Sequence, residues 1–98
     1  MKMIYLTFNI SELEEVLELL NKNGIRQYQI FDKVCATTLD AVPRMNNAVW
    51  PGYNTAIIIQ ADDAEENSVA DIITQFNSQA DNPNEKIVMC SWQLDRFI

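Results

Sequence analysis

Hydrophobic residues alternate along the first nine positions. Ile4, Leu6 and Phe8 fall on one side of an extended backbone, and Met3, Tyr5 and Thr7 on the other. The second set is barely more polar than the first, which predicts a central strand with both faces in use. The period then changes. Leu13, Val16, Leu17 and Leu20 recur at helical spacing, with Glu12, Glu15 and Glu18 on the wet side. Ser11 and Glu14 are spaced as a capping box, and Gly24 suits the left-handed residue that closes a helix. Residues 25–37 predict a second strand in which Tyr28 and Ile30 share a face, with a bulge near Asp32 and Lys33 where the pattern slips. The apolar run TAIIIQA, residues 55–61, predicts another central strand. A second helix opens at DDAEE, with Asp63 as cap and Glu66 as its partner, and carries its stripe on Val69, Ile72, Ile73, Phe76 and Ala80. QADNPNE breaks this helix, and KIVMCSW, residues 86–92, predicts the last strand.

The order strand, helix, strand, strand, helix, strand is that of a ferredoxin-like α+β domain: a four-stranded antiparallel sheet with both helices on one face. The whole chain, residues 1–98, reads as one such domain. No third layer remains for the other face, which still carries apolar groups, so self-association through it is expected. Between the second and third strands lies TLDAVPRMNNAVWPGYN, residues 38–54, a long aperiodic loop of the kind that is usually functional or disordered.

Composition narrows the function. A net charge of -7 argues against nucleic acid and anionic membrane surfaces and favours cations or a basic patch on a partner protein. There is no histidine, which removes the usual general base, and the two glycines make no phosphate-cradling loop. No catalytic constellation is visible, so no enzyme activity is expected; a dimeric ferredoxin-like enzyme is the weakest of the three functional classes considered. Cys35 and Cys90 are read as small buried hydrophobes rather than a disulfide. MKMIYLTFN reads as a strand rather than a signal peptide, and no stretch is long enough to insert in a membrane, so a cytoplasmic location is expected.

The opening MKMIYLTFNISELEEVLELLNKNGI, the segment DKVCATT where the long loop begins, and the ending EKIVMCSWQLDRFI together resemble the nitrogen-regulatory P-II superfamily, which includes P-II-like proteins and the related CutA-type trimers. The resemblance implies a trimer that senses a small molecule or ion in a cleft between subunits. It also implies signalling to a partner, a transporter or enzyme, through the long loop. ATP-binding members carry a Gly-rich TGxxGDGKIF segment. Here SQADNPNEKIV stands in its place, matching only at Lys86 and Ile87, with Asp81 and Glu85 adding negative charge. Weak or absent ATP binding is therefore expected, and no cofactor is assigned. A CutA-like or efflux-associated metal-binding trimer is the alternative.

Arg44, Asn46, Asn47, Trp50, Gly52, Asn54 and Lys86 are the candidate ligand- or partner-binding residues; no metal ligands are assigned. Trp50 invites two readings. It is a contact residue, as Trp often is at interfaces, or it folds back to plug a subunit junction. On the second reading Trp50 is a post for a mobile loop, residues 38–48, with Arg44 near the tip as the contact residue. Cys35 and Cys90, with Met45 or Met89, would make a soft metal site only between subunits. The acidic groups around Glu12 and Asp62 read as solvated helix starts favoured by the helix dipole.

Overall fold

The computed structural model describes residues 1–98. Its strands are β1 (Lys2–Asn9), β2 (Tyr28–Val34), β3 (Asn54–Ala61) and β4 (Val88–Gln93), and its helices are α1 (Leu13–Lys22) and α2 (Asp63–Ser78). The sheet is antiparallel in the order β2-β3-β1-β4, the ferredoxin-like α+β arrangement. β1 and β3 are central, as their apolar runs predict.

Strand alternation sorts the side chains into two faces. On one, Ile4, Leu6 and Phe8 of β1 lie opposite Ile59, Ile57 and Thr55 of β3. The aliphatic and aromatic members of this set form the core with Val16 and Leu20 of α1 and Val69 and Ile73 of α2. Both helices therefore cover this one face. Ile25 and Ile87, outside the regular elements, complete the core. The other face carries Met3, Tyr5 and Thr7 of β1, Ala56 and Ile58 of β3, Phe31 of β2, and Cys90 and Trp92 of β4. No helix of the chain covers it. The register shift in β2 falls between Phe31 and Val34, at the predicted bulge.

Several local expectations are corrected. A 3-10 turn, Ile10–Glu12, precedes α1, and Asn9 caps it by accepting from the Ser11 N–H at 3.0 Å. The Ser11–Glu14 capping box does not form, because the chain needs an extra tight turn to leave β1. In α2 the box is one residue earlier than expected. Asp62 accepts from the Glu65 N–H at 2.8 Å, and Glu65 accepts from the Asp62 N–H at 3.1 Å. β2 begins only at Tyr28, because Ile25 is used to close α1: its N–H donates to the Leu20 carbonyl while the Gly24 N–H donates to that of Asn21. Gly24, at φ 82°, supplies the left-handed residue this closure requires. β4 begins at Val88, two residues later than predicted, because Asn77 at the end of α2 captures both the N–H and the carbonyl of Ile87. Cys35 and Cys90 are free and exposed in the protomer rather than buried. Cys35 follows the β2 edge, and Cys90 sits on the open face at the opposite edge.

Candidate functional site

One end of the sheet gathers three connections: the 3-10 turn after β1, the loop of residues 35–53, and the segment from the end of α2 to β4. The loop is not a free arm. Ala36 and Arg44 exchange two backbone hydrogen bonds of 2.9 Å, closing its base into a short bridge. Farther out, the Trp50 carbonyl accepts from the N–H groups of Met45 and Asn47, and the Gly52 carbonyl from that of Asn46. Asn46 sits at φ 52°, a left-handed conformation that Asn tolerates better than most residues.

The loop is then fastened to the rest of the molecule, chiefly through Arg44. The guanidinium donates through Nη1 to Asn54 Oδ1 at 2.9 Å and through Nη2 to the Asn84 carbonyl at 2.6 Å. Asn54 is buried at the start of β3 and passes the connection inward, donating through Nδ2 to Thr7 Oγ1, which donates to the Thr55 carbonyl. Asn84 lies in the 3-10 turn Pro83–Glu85, and its Oδ1 accepts from the Val42 N–H at 2.6 Å. A continuous set of hydrogen bonds thus runs from the centre of the sheet, through Asn54 and Arg44, to the turn before β4.

The candidate residues are unevenly placed. Arg44 and Asn54 meet directly, and Arg44 is a half-buried clamp rather than a tip residue. Asn47 Oδ1 is spent on the Val49 and Trp50 N–H groups, at 3.1 and 2.7 Å. Asn46 and Gly52 form the turn that carries the loop back. Trp50 is held by its backbone while its side chain stays 41% exposed. Lys86 is exposed on the other side of the clamp. It lines an open groove of about 290 Å³ whose walls are Thr38–Ala41 of the loop and Asn77, Pro83, Ile87 and Val88. The expectation that residues 38–48 lack an anchor does not hold in this geometry: Val42 and Arg44 both tie to Asn84.

Asn84 and the situation of Glu12 escape the sequence pattern. Glu12 is half-buried rather than fully solvated. Its Oε2 is buried and accepts no hydrogen bond. Burial, then the nearby charges of Glu15 and Glu85, push its carboxyl up to about 7, against the opposing pull of Arg44. The acidic spacing offers no hint of this; the Asn-Pro-Asn of residues 82–84 does signal a turn. No group of three or more Cys, Asp or Glu side chains is gathered in a way that could hold a metal ion. No helix is long and apolar enough to cross a membrane.

No protein-family model matches the sequence, and no curated protein matches it. Solved structures do. The chain is similar to CPII from Thiomonas intermedia K12 in complex with ADP and bicarbonate, with a TM-score of 0.68 and 13% identity over 97% of this chain and 88% of that one. The apo form of CPII gives a TM-score of 0.59 at 14% identity over 95% and 89% of the two chains. A putative PII-like signalling protein from Thermus thermophilus gives 0.58 at 14% identity over 93% and 83%. These likenesses run through nearly the whole of both chains, and the fold of this protein is that of the nitrogen-regulatory PII-like proteins.

Proposed function

We propose that the protein is a non-enzymatic PII-like regulatory subunit. It binds a small molecule with an anionic group in the groove that Lys86 lines, and it reports the bound state to a partner protein through the 38–54 loop. The observation that carries this reading is the double tie at Asn84. The same short turn that precedes Lys86 holds the loop at Val42 and Arg44. A ligand that moves the turn must therefore move the loop, because Asn84 cannot shift without breaking a hydrogen bond to it. This is the physical link between a binding event and a surface that regulation requires. The likeness to CPII, whose structure is described with ADP and bicarbonate, supports an anionic ligand class.

The protein assembles as a trimer through the open sheet face, so that each groove borders a neighbouring subunit. Phe31 and Trp92 on that face are 50% and 49% exposed in the isolated protomer, an apolar surface of the kind that association covers. The partner is a transporter or an enzyme, and the protein acts in the cytoplasm.

Calorimetry with bicarbonate, ADP and magnesium-ATP, on the wild type and on Lys86→Ala, tests this. The expected result is a bicarbonate site that weakens about ten-fold or more without the Lys86 charge, as loss of a charge-assisted contact does. Neither nucleotide should show a tight site, because the glycines that would let backbone donors reach phosphate are absent from SQADNPNEKIV and Asp81 and Glu85 add negative charge. Micromolar ATP affinity would overturn that part. The absence of any Lys86-dependent anion binding would overturn the groove.

A further inference from the structure

The turn that holds the loop also carries an acid facing another acid. Asn84 ties down Val42 and Arg44. Its neighbour Glu85 borders a pocket of about 220 Å³ together with Glu12 and Glu15, and Phe76, Gln79 and Ala80 from the end of α2 complete the walls. α2 brings no charge to this pocket. The charged groups acting on Glu12 are Glu15 of α1, Glu85 of the turn and Arg44 of the loop. Glu12 Oε2 is buried without a hydrogen-bond donor. An ionised carboxylate in that position loses part of its hydration with only the pull of Arg44 to offset it, whereas a protonated one is tolerated.

We propose that Glu12 is a proton-operated latch on the 38–54 loop. With the proton on, the Pro83–Glu85 turn stays packed beside residue 12, and Asn84 keeps its hold on Val42 and Arg44. With the proton off, Glu12 repels Glu85, and with it the turn. It also attracts the Arg44 guanidinium, which then leaves the Asn84 carbonyl. Both effects loosen the same two hydrogen bonds. By reciprocity the fastened loop binds the proton more tightly than the released one. The carboxyl's rise to about 7 puts the change near neutral pH, so a modest shift in acidity alters how firmly the loop is held. The latch concerns only the fastening of the loop and does not depend on which ligand or partner the loop reads.

Amide hydrogen exchange at Val42 tests the latch directly, because that N–H donates to Asn84 Oδ1. Protection, corrected at each pH for the intrinsic rate, is followed from about pH 6 to pH 8 at constant ionic strength, a window centred on the proposed titration. Wild-type protection should fall by about ten-fold or more as pH rises, each pKa unit of coupling being worth a factor of ten. Glu12→Gln should keep the acid-side protection throughout. Glu14→Gln, which removes an exposed carboxylate from the same stretch, should follow the wild type. Flat wild-type protection, or a fall that persists in Glu12→Gln, overturns the proposal. Where Glu12→Gln does not fold, the side-chain carboxyl resonance of Glu12 in the wild type decides. Titration near neutral pH in step with Val42 protection supports the latch, and a midpoint at the ordinary glutamate value overturns it.

Discussion

On the helix side of the sheet, Ile4, Leu6, Phe8, Ile57 and Ile59 are each 1% exposed or less. On the other side, with side chains of the same character, Phe31 and Trp92 keep 50% and 49% of their surface. Neighbouring residues of one strand therefore meet opposite environments: Leu6 is fully buried, while Tyr5 beside it is half-buried. Hydrophobicity alone does not separate the two faces. What separates them is the handedness of the two strand-helix-strand crossovers, which sends both helices to the same side. The covered face stabilises the protomer, and the bare one is left to act between molecules.

The two faces differ most in what they contribute to folding stability. Leu6→Ala should destabilise the protomer by about 3 kcal/mol, the usual cost of a fully buried Leu truncated in a core that cannot collapse. Ile58 sits between Ile57 and Ile59 on β3 but points to the open face, opposite Tyr5. Ile58→Ala should cost about 1 kcal/mol or less, since part of its surface is already wet. Urea denaturation at low protein concentration measures both. Equal losses would mean that the open face is as well packed in the protomer as the covered one, and the contrast would fail.

Assembly should reverse the ranking. Ile58 lies at the middle of the open face, between Tyr5 on β1 and Gln29 on β2. Ile58→Lys should turn the oligomer into a monomer in light scattering, because it places an unpaired charge where apolar surface must be covered. Its melting temperature at low concentration should change little. A wild type that is a stable monomer at micromolar concentration would end the case for association through this face.

Much of the fold was legible because period and topology reinforce one another. Ile4, Leu6 and Phe8 alternate, Val16 and Leu20 repeat at helical spacing, and the run at residues 55–61 has the length of a buried strand. The cap of α2 was displaced by one residue because Asp62 and Asp63 are equally good candidates, and only the backbone geometry decides between them. The clamp was not legible. Its hydrogen-bonded pairs, Arg44 with Asn54 and Arg44 with Asn84, are 10 and 40 residues apart, and no local pattern joins them. Arg44 looked like a contact residue because a loop Arg usually is one. Glu12 reads as solvated because acidic residues clustered at a helix start usually are.

At the end of the sheet, Glu12 places a partly buried titratable group beside the covered side. Its carboxyl is raised from 4.5 to about 7 in the folded protein, so the folded state holds the proton more tightly than the unfolded one. The contribution of Glu12 to stability is therefore greatest below about 4.5, falls as pH rises toward 7, and is level above that. Glu12→Gln should remove this slope and stabilise the protein above neutral pH by about 1–2 kcal/mol, allowing for solvent screening of a half-exposed group. Denaturation midpoints at several pH values measure it. A variant that keeps the wild-type slope would show that another group is responsible.

The smallest expected effect on the protomer is at Trp50, and it discriminates most finely between the two readings of the loop. The backbone around Trp50 is held by Asn47 Oδ1 and by the Met45 and Asn47 N–H groups, none of which needs the indole. Trp50→Ala should therefore leave protomer stability within about 0.5 kcal/mol of the wild type, as surface substitutions usually do. Arg44→Ala, by contrast, should free the loop, because it removes the two bonds to Asn54 and Asn84, and it touches the open face only at the Thr7 end that Asn54 contacts. Whether the exposed indole serves assembly or a partner is then read from its emission in a Trp92→Phe background, where Trp50 is the remaining tryptophan. If the indole plugs a subunit seam, its emission shifts to the blue and becomes shielded from quenchers as concentration drives assembly, and Trp50→Ala weakens the oligomer. If emission stays exposed in the assembled protein and Trp50→Ala costs only partner or ligand binding, the indole is a contact residue, presented by a loop whose own hydrogen bonds keep it in place.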